Sequence, residues 1–228
     1  MKLSKRLQQI EQLVASDYDH IWDCCCDHGF LGAELLSRPT SATIHFVDIV
    51  PQLITQLENR LRRFYPDARE RWETHCIDVA TLPLAQYSGK QLIIIAGVGG
   101  DLMIHFLEAI HQQHAQLNVD LLLCPVYQQY ALREKLIELN CSLKDEILIA
   151  ENQRFYEAIL VSSAPWATEF GTQKPLHKNG SSNPICVKPS TTTNGFSKAT
   201  RSWWTISLRR IGRLHCDAAT QLSICLIE

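Results

Sequence analysis

The sequence predicts an α/β protein: a mostly parallel seven-stranded sheet with helices on both faces and an antiparallel hairpin at its end. Three observations carry this. Short apolar runs alternate with segments of helical period along the first 160 or so of the 228 residues. Most of these runs are uninterrupted, as strands buried on both faces require. The last two are separated by only four residues, Glu151-Asn152-Gln153-Arg154, a spacing that suits a hairpin.

Taken in order, Leu3, Leu7, Ile10, Leu13 and Val14 recur at helical spacing and predict a helix over 3–16. His20 to Cys26 is a short apolar run and reads as a buried strand. On a strand, Cys24 and Cys26 would share one face. Gly29 opens a turn, and a helix over 31–36 stops before Pro39. A strand over 43–47 ends at Asp48, and Pro51 opens a helix to about Phe64, since proline suits a first turn. Further strands are expected over 72–77, with Asp78 just beyond, and over 92–96, which runs into Gly97-Val98-Gly99-Gly100. A helix over 102–114, a strand over 121–124 ended by Pro125, a helix over 131–139 and strands over 147–150 and 155–161 complete the pattern.

Residues 1–163 therefore form one domain. Beyond them the text changes. Residues 165–228 carry 8 Lys+Arg against 3 Asp+Glu, whereas 1–164 carry 14 against 21. The tail over 164–228 is rich in Ser, Thr, Asn, Lys and Pro, and only Trp203, Trp204, Ile206 and Leu208 cluster. Such a segment buries too little to offset its ordering entropy, so an irregular, disordered basic tail is expected.

The composition excludes some classes. Apolar residues make up 46% of the chain, but no window of 18 apolar residues occurs, so no membrane span is expected. The N-terminus is too polar for a secretory signal. Nine cysteines, three of them consecutive at 24–26, make a poor disulfide framework. Reduced thiols and a cytoplasmic location follow. Nothing in the sequence fixes an oligomeric state.

In an open α/β sheet, ligands bind beyond the carboxyl ends of the strands. Four such ends here carry acids or glycines: Asp23 to Gly29, Asp48, Asp78, and Ala96 to Gly100. Each suits a nucleoside cofactor. Asp48 can accept from both ribose hydroxyls. Asp78 can accept from an exocyclic amine of adenine. Gly29 allows close backbone approach. Ala96, Gly97 and Gly99 open space for a substrate. Each position also has an ordinary use: Asp48 and Asp78 as helix caps, Gly99-Gly100 as a turn, His28 as a surface histidine.

Two other sites compete. A dinucleotide oxidoreductase wants G-x-G-x-x-G after the first strand, but only Gly29 and Gly32 stand there, and Asp27 would repel a pyrophosphate. A cationic sulfonium with an amino-acid tail fits that acid better. A metal site from Cys24, Cys26 and His28 lacks the second ligand pair that zinc sites use, and no metal is expected.

These residues resemble a specific family, the bacterial tRNA (adenine-22-N1)-methyltransferases, over about residues 3–162. Leu3 to Leu7 is similar to the family's start. Asp23-Cys24-Cys25-Cys26-Asp27-His28-Gly29-Phe30-Leu31 resembles its D-x-G-S-D-H-x-Y-L motif, and Ile93 to Gly100 its I-T-I-A-G-M-G-G motif. Leu132-Arg133, Leu136 and Phe155-Tyr156-Glu157 also match. The resemblance implies a Rossmann-like class I methyltransferase fold, S-adenosyl-L-methionine as cofactor, tRNA as partner and N1 of adenine 22 as the atom methylated. It implies cofactor contacts at Asp23, Gly29, Asp48, Asp78, Ala96, Gly97 and Gly99. Asp27 is expected to offset the charge of the cationic product, and His28 to take a proton from the exocyclic amine. Lys5, Arg6, Arg62 and Arg63 are expected on the phosphate backbone. Several positions depart from the family. Cys25 and Cys26 replace a glycine and a serine, and Asp101 stands where a basic or neutral residue is common. Cys124-Pro125-Val126 replaces Q-P-N, and the family's helical C-terminal extension is not legible. Methylation of another RNA, a DNA or a small molecule, and cofactor binding without catalysis, stay open.

Overall fold

A computed structural model describes residues 3–163 of the chain. The expectation of a disordered basic tail over 164–228 lies outside the described residues. Seven strands form one sheet in the order β3-β2-β1-β4-β5-β7-β6. The strands are β1 (His20–Cys24), β2 (Thr43–Asp48), β3 (Trp72–Cys76), β4 (Gln91–Ala96), β5 (Val119–Cys124), β6 (Ser142–Glu151) and β7 (Arg154–Ser162). The first five are mutually parallel, and β7 runs antiparallel to both β5 and β6. The expected seven-stranded architecture is thus present.

The helices are α1 (Lys5–Leu13), α2 (Phe30–Leu36), α3 (Pro51–Phe64), α4 (Gly100–Gln113) and α5 (Gln129–Glu138). They divide between the two faces. Ile10 of α1, Leu31 and Leu35 of α2, and Ile54, Leu57 and Leu61 of α3 pack with Ile44, Phe46 and Ile94 on one side. Met103, Phe106 and Ile110 of α4 and Leu132 and Leu136 of α5 pack with Trp22, Val47 and Ile95 on the other. The spacing i, i+3, i+7 of Ile54, Leu57 and Leu61 gives α3 a single apolar stripe. Each such fully buried side chain contributes about 1.5–3 kcal/mol.

Local chemistry sets the ends. The Ser4 hydroxyl accepts from the Leu7 N–H at 3.3 Å and caps α1, which therefore begins two residues later than periodicity alone suggests. Pro51 occupies the first turn of α3 as expected. Between β6 and β7, Asn152 and Gln153 both take positive φ (49° and 61°), the conformation of a two-residue type I′ hairpin turn. β6 extends well beyond the expected 147–150. Its polar half is held by backbone pairing, by Lys144 to Asp120 at 2.7 Å and by Arg133 to Glu146 at 2.6 Å. A polar outer strand also discourages pairing with a further chain.

One expectation fails at the end of β1. The strand stops at Cys24, because Cys25 turns to φ 55°. Alternation breaks there, so Cys24 and Cys26 do not share a face. Cys24 packs in the α4/α5 core and Cys26 in the α1–α3 core. The six cysteines of the described residues are free thiols. Among the described residues no helix is long and apolar enough to cross a membrane.

Candidate active site

The chain order reverses across the sheet between β1 and β4, which both continue into loops at their carboxyl ends. Such a switch point leaves a crevice, because the two following helices depart to opposite faces. Here α2 follows β1 on one face and α4 follows β4 on the other.

The loop after β1 is built from left-handed residues: Cys25 (φ 55°), Asp27 (φ 49°) and Gly29 (φ 64°). They wind the chain tightly, and the Gly29 N–H donates to the Cys26 carbonyl at 2.6 Å. A side chain on Gly29 would lie 2.7 Å from Leu57, so glycine is needed for both conformation and space. The loop is tied to β2 by Asp48. One carboxylate oxygen accepts from the Asp27 N–H and the other from the Val50 N–H, each at 3.0 Å. Each oxygen keeps a second lone pair for a ligand.

Asp23, on β1, is 5% exposed and accepts from the Gly32 N–H at 2.9 Å, which anchors the start of α2. Burial pushes its carboxyl up to about 7; the Gly32 N–H opposes this and the Asp48 charge adds to it. The Cys25 thiol is pushed up to about 11, first by burial and then by the charges of Asp48, Asp23 and Asp78. Asp23, Asp48 and Asp78 lie at or just beyond the carboxyl ends of the adjacent strands β1, β2 and β3.

Asp78 follows β3 and caps a short turn, accepting from the Ala80 N–H at 2.8 Å. This is the ordinary use of aspartate weighed above, although lone pairs remain. Asp27 and His28 lie at the surface, with side chains 67% and 50% exposed and the His28 Nε2 3.7 Å from an Asp27 oxygen. The Arg60 side chain donates to the His28 carbonyl, and its guanidinium lies 5.3 Å from the Phe30 ring centre, against which the His28 ring stacks at 5.4 Å. Arg60 therefore clamps this loop from α3.

At the end of β4, Gly97 takes φ 83°, and a side chain there would meet no atom within 4 Å, so this backbone borders open space. Gly99 and Gly100 are crowded instead. The loops after β4 and β5 zip together through Val126 N–H to Val98 O and Gly100 N–H to Tyr127 O, both at 3.0 Å. A side chain on Gly99 would strike the Tyr127 ring at 2.4 Å, and one on Gly100 the Gln128 carbonyl at 2.6 Å. Tyr127 is 52% exposed. Sequence reasoning passed over it, although an aromatic three residues past a strand end was visible.

The basic residues divide. Lys5 is exposed. The Arg6 N–H donates to Glu151 at 2.9 Å at the end of β6, its guanidinium lies 4.6 Å from the Tyr156 ring, and its charge reaches Cys124 at the end of β5. Both residues stand on the side of the strand ends. Arg62 and Arg63 do not. They occupy the last turn of α3, about 17 Å along the helix from Pro51, which adjoins the crevice. Arg62 pairs with Glu58 at 3.1 Å, and Arg63 lies over Phe64 at 5.1 Å. The helix runs back down the sheet, so consecutive-looking arginines are carried away from the site.

Comparison with known proteins agrees with this architecture. Similar solved structures include M. capricolum TrmK in complex with the cofactor product S-adenosyl-homocysteine (19% identity, TM-score 0.60, covering 72% of this chain and 70% of that one). They also include the B. subtilis m1A22 tRNA methyltransferase TrmK (21% identity, TM-score 0.59, covering 72% and 68%). A SAM dependent methyltransferase from Aquifex aeolicus shares the fold at 11% identity (TM-score 0.55, covering 69% and 89%). No curated protein matches the chain. The family model for a methyltransferase domain matches residues 3–159, and the chain belongs to that methyltransferase family.

Proposed function

We propose that the chain transfers the methyl group of S-adenosyl-L-methionine to N1 of an adenine in tRNA, at position 22. The observation that carries this reading is the set of acids at or just beyond the carboxyl ends of β1, β2 and β3 (Asp23, Asp48 and Asp78), with Asp48 bonded to the Asp27 N–H of the loop after β1 and open space at Gly97 after β4. Three carboxylates disfavour an anionic dinucleotide and suit a ligand with an ammonium, a sulfonium and a ribose diol. The TrmK neighbours named above, which share the fold, support the choice of substrate.

Each residue then has a task. The spare lone pairs of Asp48 accept from the ribose hydroxyls. Asp78 accepts from the exocyclic amine of the cofactor's adenine. Asp23, ionised, pairs with the ammonium, and that cation offsets the cost of its burial. Gly97 leaves open space for the ligand, with only the methyl group of Ala96 before it, whereas Gly29 and Gly99 serve by letting the loop backbones pack against Leu57 and Tyr127. When bound, S-adenosylmethionine supplies a methyl group on a cationic sulfur, an electrophile that the N1 lone pair takes up without a strong base. Catalysis is therefore mainly positioning and electrostatics. Asp27 stabilises the positive charge that the methylated base acquires, and His28 takes a proton from its exocyclic amine. N1 lies on the pairing edge, so the base must be unpaired or turned out of its stack. Tyr127 offers it an exposed ring to stack on. Lys5 and Arg6 hold the phosphate backbone at the crevice. Arg62 and Arg63, if they touch RNA, touch it at a distance from the base.

The experiment is methyl transfer from labelled S-adenosylmethionine to unmodified bulk tRNA, followed by nucleoside mass spectrometry. Appearance of 1-methyladenosine, lost in Asp27→Ala while cofactor binding persists, supports the reading. Cofactor binding with no transfer to tRNA moves the search to other substrates. Full turnover in Asp27→Ala removes that residue from the mechanism.

A further inference from the structure

Away from the crevice, at the outer edge of the sheet, three side chains from adjacent parallel strands point at one place. His45 lies on β2, and Glu73 and His75 lie on β3. The register sets Glu73 opposite His45, and His75 follows two residues later on the same face of its strand. His45 Nδ1 lies 3.0 Å from His75 Nε2, and one Glu73 oxygen lies 3.8 Å from the first and 3.7 Å from the second. A point equidistant from three atoms so arranged lies about 2.1 Å from each, the usual zinc–nitrogen and zinc–oxygen bond length.

The surroundings are those of a metal ligand set. His20 Nδ1 lies 3.0 Å from His45 Nε2, so a proton held there leaves the His45 Nδ1 lone pair facing His75. The Tyr87 hydroxyl donates to the same Glu73 oxygen at 2.7 Å. Trp22 stacks flat on the His45 ring at 4.0 Å and fixes its plane. His45 is fully buried, whereas Glu73 is half exposed, so an ion can enter from the Glu73 side.

We propose that His45, Glu73 and His75 form a divalent transition-metal site of the His₂-carboxylate type, matched to zinc, with its fourth position open to water. Two histidines and one carboxylate suit zinc over the oxygen-seeking calcium and magnesium. The site clips edge strand β3 to β2, three residues before Asp78. It stands independently of the methyl-transfer reading.

The test uses the full chain, stripped with a chelator and titrated with Co²⁺ and then Zn²⁺. One Co²⁺ per chain is expected, with visible d–d bands, without the intense near-ultraviolet thiolate-to-cobalt band, and displaced by Zn²⁺. Zinc should raise the melting temperature of the native chain. Glu73→Gln, which keeps the shape of a half-exposed side chain, should weaken binding at least tenfold, and His75→Ala should abolish it. Tyr87→Phe should weaken it about tenfold through the lost hydrogen bond to Glu73. Absence of stoichiometric binding overturns the proposal. So does a thiolate band, which would assign the metal to cysteines, or binding unchanged in both Glu73→Gln and His75→Ala.

Discussion

Replacing Asp23 with Asn is expected to stabilise the ligand-free protein above neutral pH and to weaken cofactor binding at the same time. Asp23 is buried, and its carboxyl stands at about 7 against an ordinary 3.8. The folded chain therefore holds this proton more tightly than the unfolded chain. For such a group stability falls as pH rises, starting near pH 4 and levelling off above pH 7. The full difference, at 1.36 kcal/mol per pH unit, is worth about 4 kcal/mol, of which about 2–3 kcal/mol falls between pH 5 and pH 8. Asn cannot ionise, yet its amide oxygen can still accept the Gly32 N–H that Asp23 accepts now. Urea unfolding of both proteins at pH 5, 6, 7 and 8 measures the effect. Every other titrating group is shared, so the difference in unfolding free energy reports Asp23 together with its coupling to Asp48. The variant should gain about 2–3 kcal/mol relative to the parent over that range. Its affinity for S-adenosylmethionine at pH 8, measured by calorimetry, should fall at least tenfold, or about 1.4 kcal/mol. A stability difference constant with pH to within about 0.5 kcal/mol would refute the burial argument. Unchanged affinity would refute the ammonium pairing alone.

Three further outcomes follow from single positions. Cys25→Gly should stabilise the chain by about 1 kcal/mol in thermal or urea unfolding, since Cys25 sits at φ 55° where a side chain is strained; a destabilisation of that size would mean its packing outweighs the strain. Gly32→Ala should destabilise by about 1–3 kcal/mol, because the added carbon would lie 2.3 Å from the Phe46 ring and 2.9 Å from Asp23; a neutral effect would mean that α2 shifts freely on the sheet. Asp48→Ala should cost more cofactor affinity than Asp78→Ala, because Asp48, beyond its proposed ribose role, ties Asp27 and Val50 in place, whereas Asp78 holds only the turn at Ala80. Calorimetric titration ranks the two, and the reverse order would reassign the ribose role.

The alternation of uninterrupted apolar runs with helical periods determined the fold class, because burial on two faces or on one stripe leaves a direct trace in residue order. It also placed Asp23, Asp48, Asp78 and Gly97 at strand ends, since those ends are where apolar runs stop. What the sequence left undecided depends on backbone conformation and on neighbours far along the chain. Cys24 and Cys26 parted to opposite cores because Cys25 adopts a left-handed turn, which two-residue alternation does not anticipate. The polar half of β6 formed a strand because β7 supplies its hydrogen bonds whatever its hydropathy. Arg62 and Arg63 carry the same expected phosphate-backbone role as Lys5 and Arg6, but the direction of α3 sets them away from the strand ends by most of its length. His45, Glu73 and His75 carry no recognisable spacing, since His45 stands 28 residues before Glu73. Only the parallel register of β2 and β3, fixed by backbone pairing and by the cores on either side, brings their ligand atoms within reach of one ion.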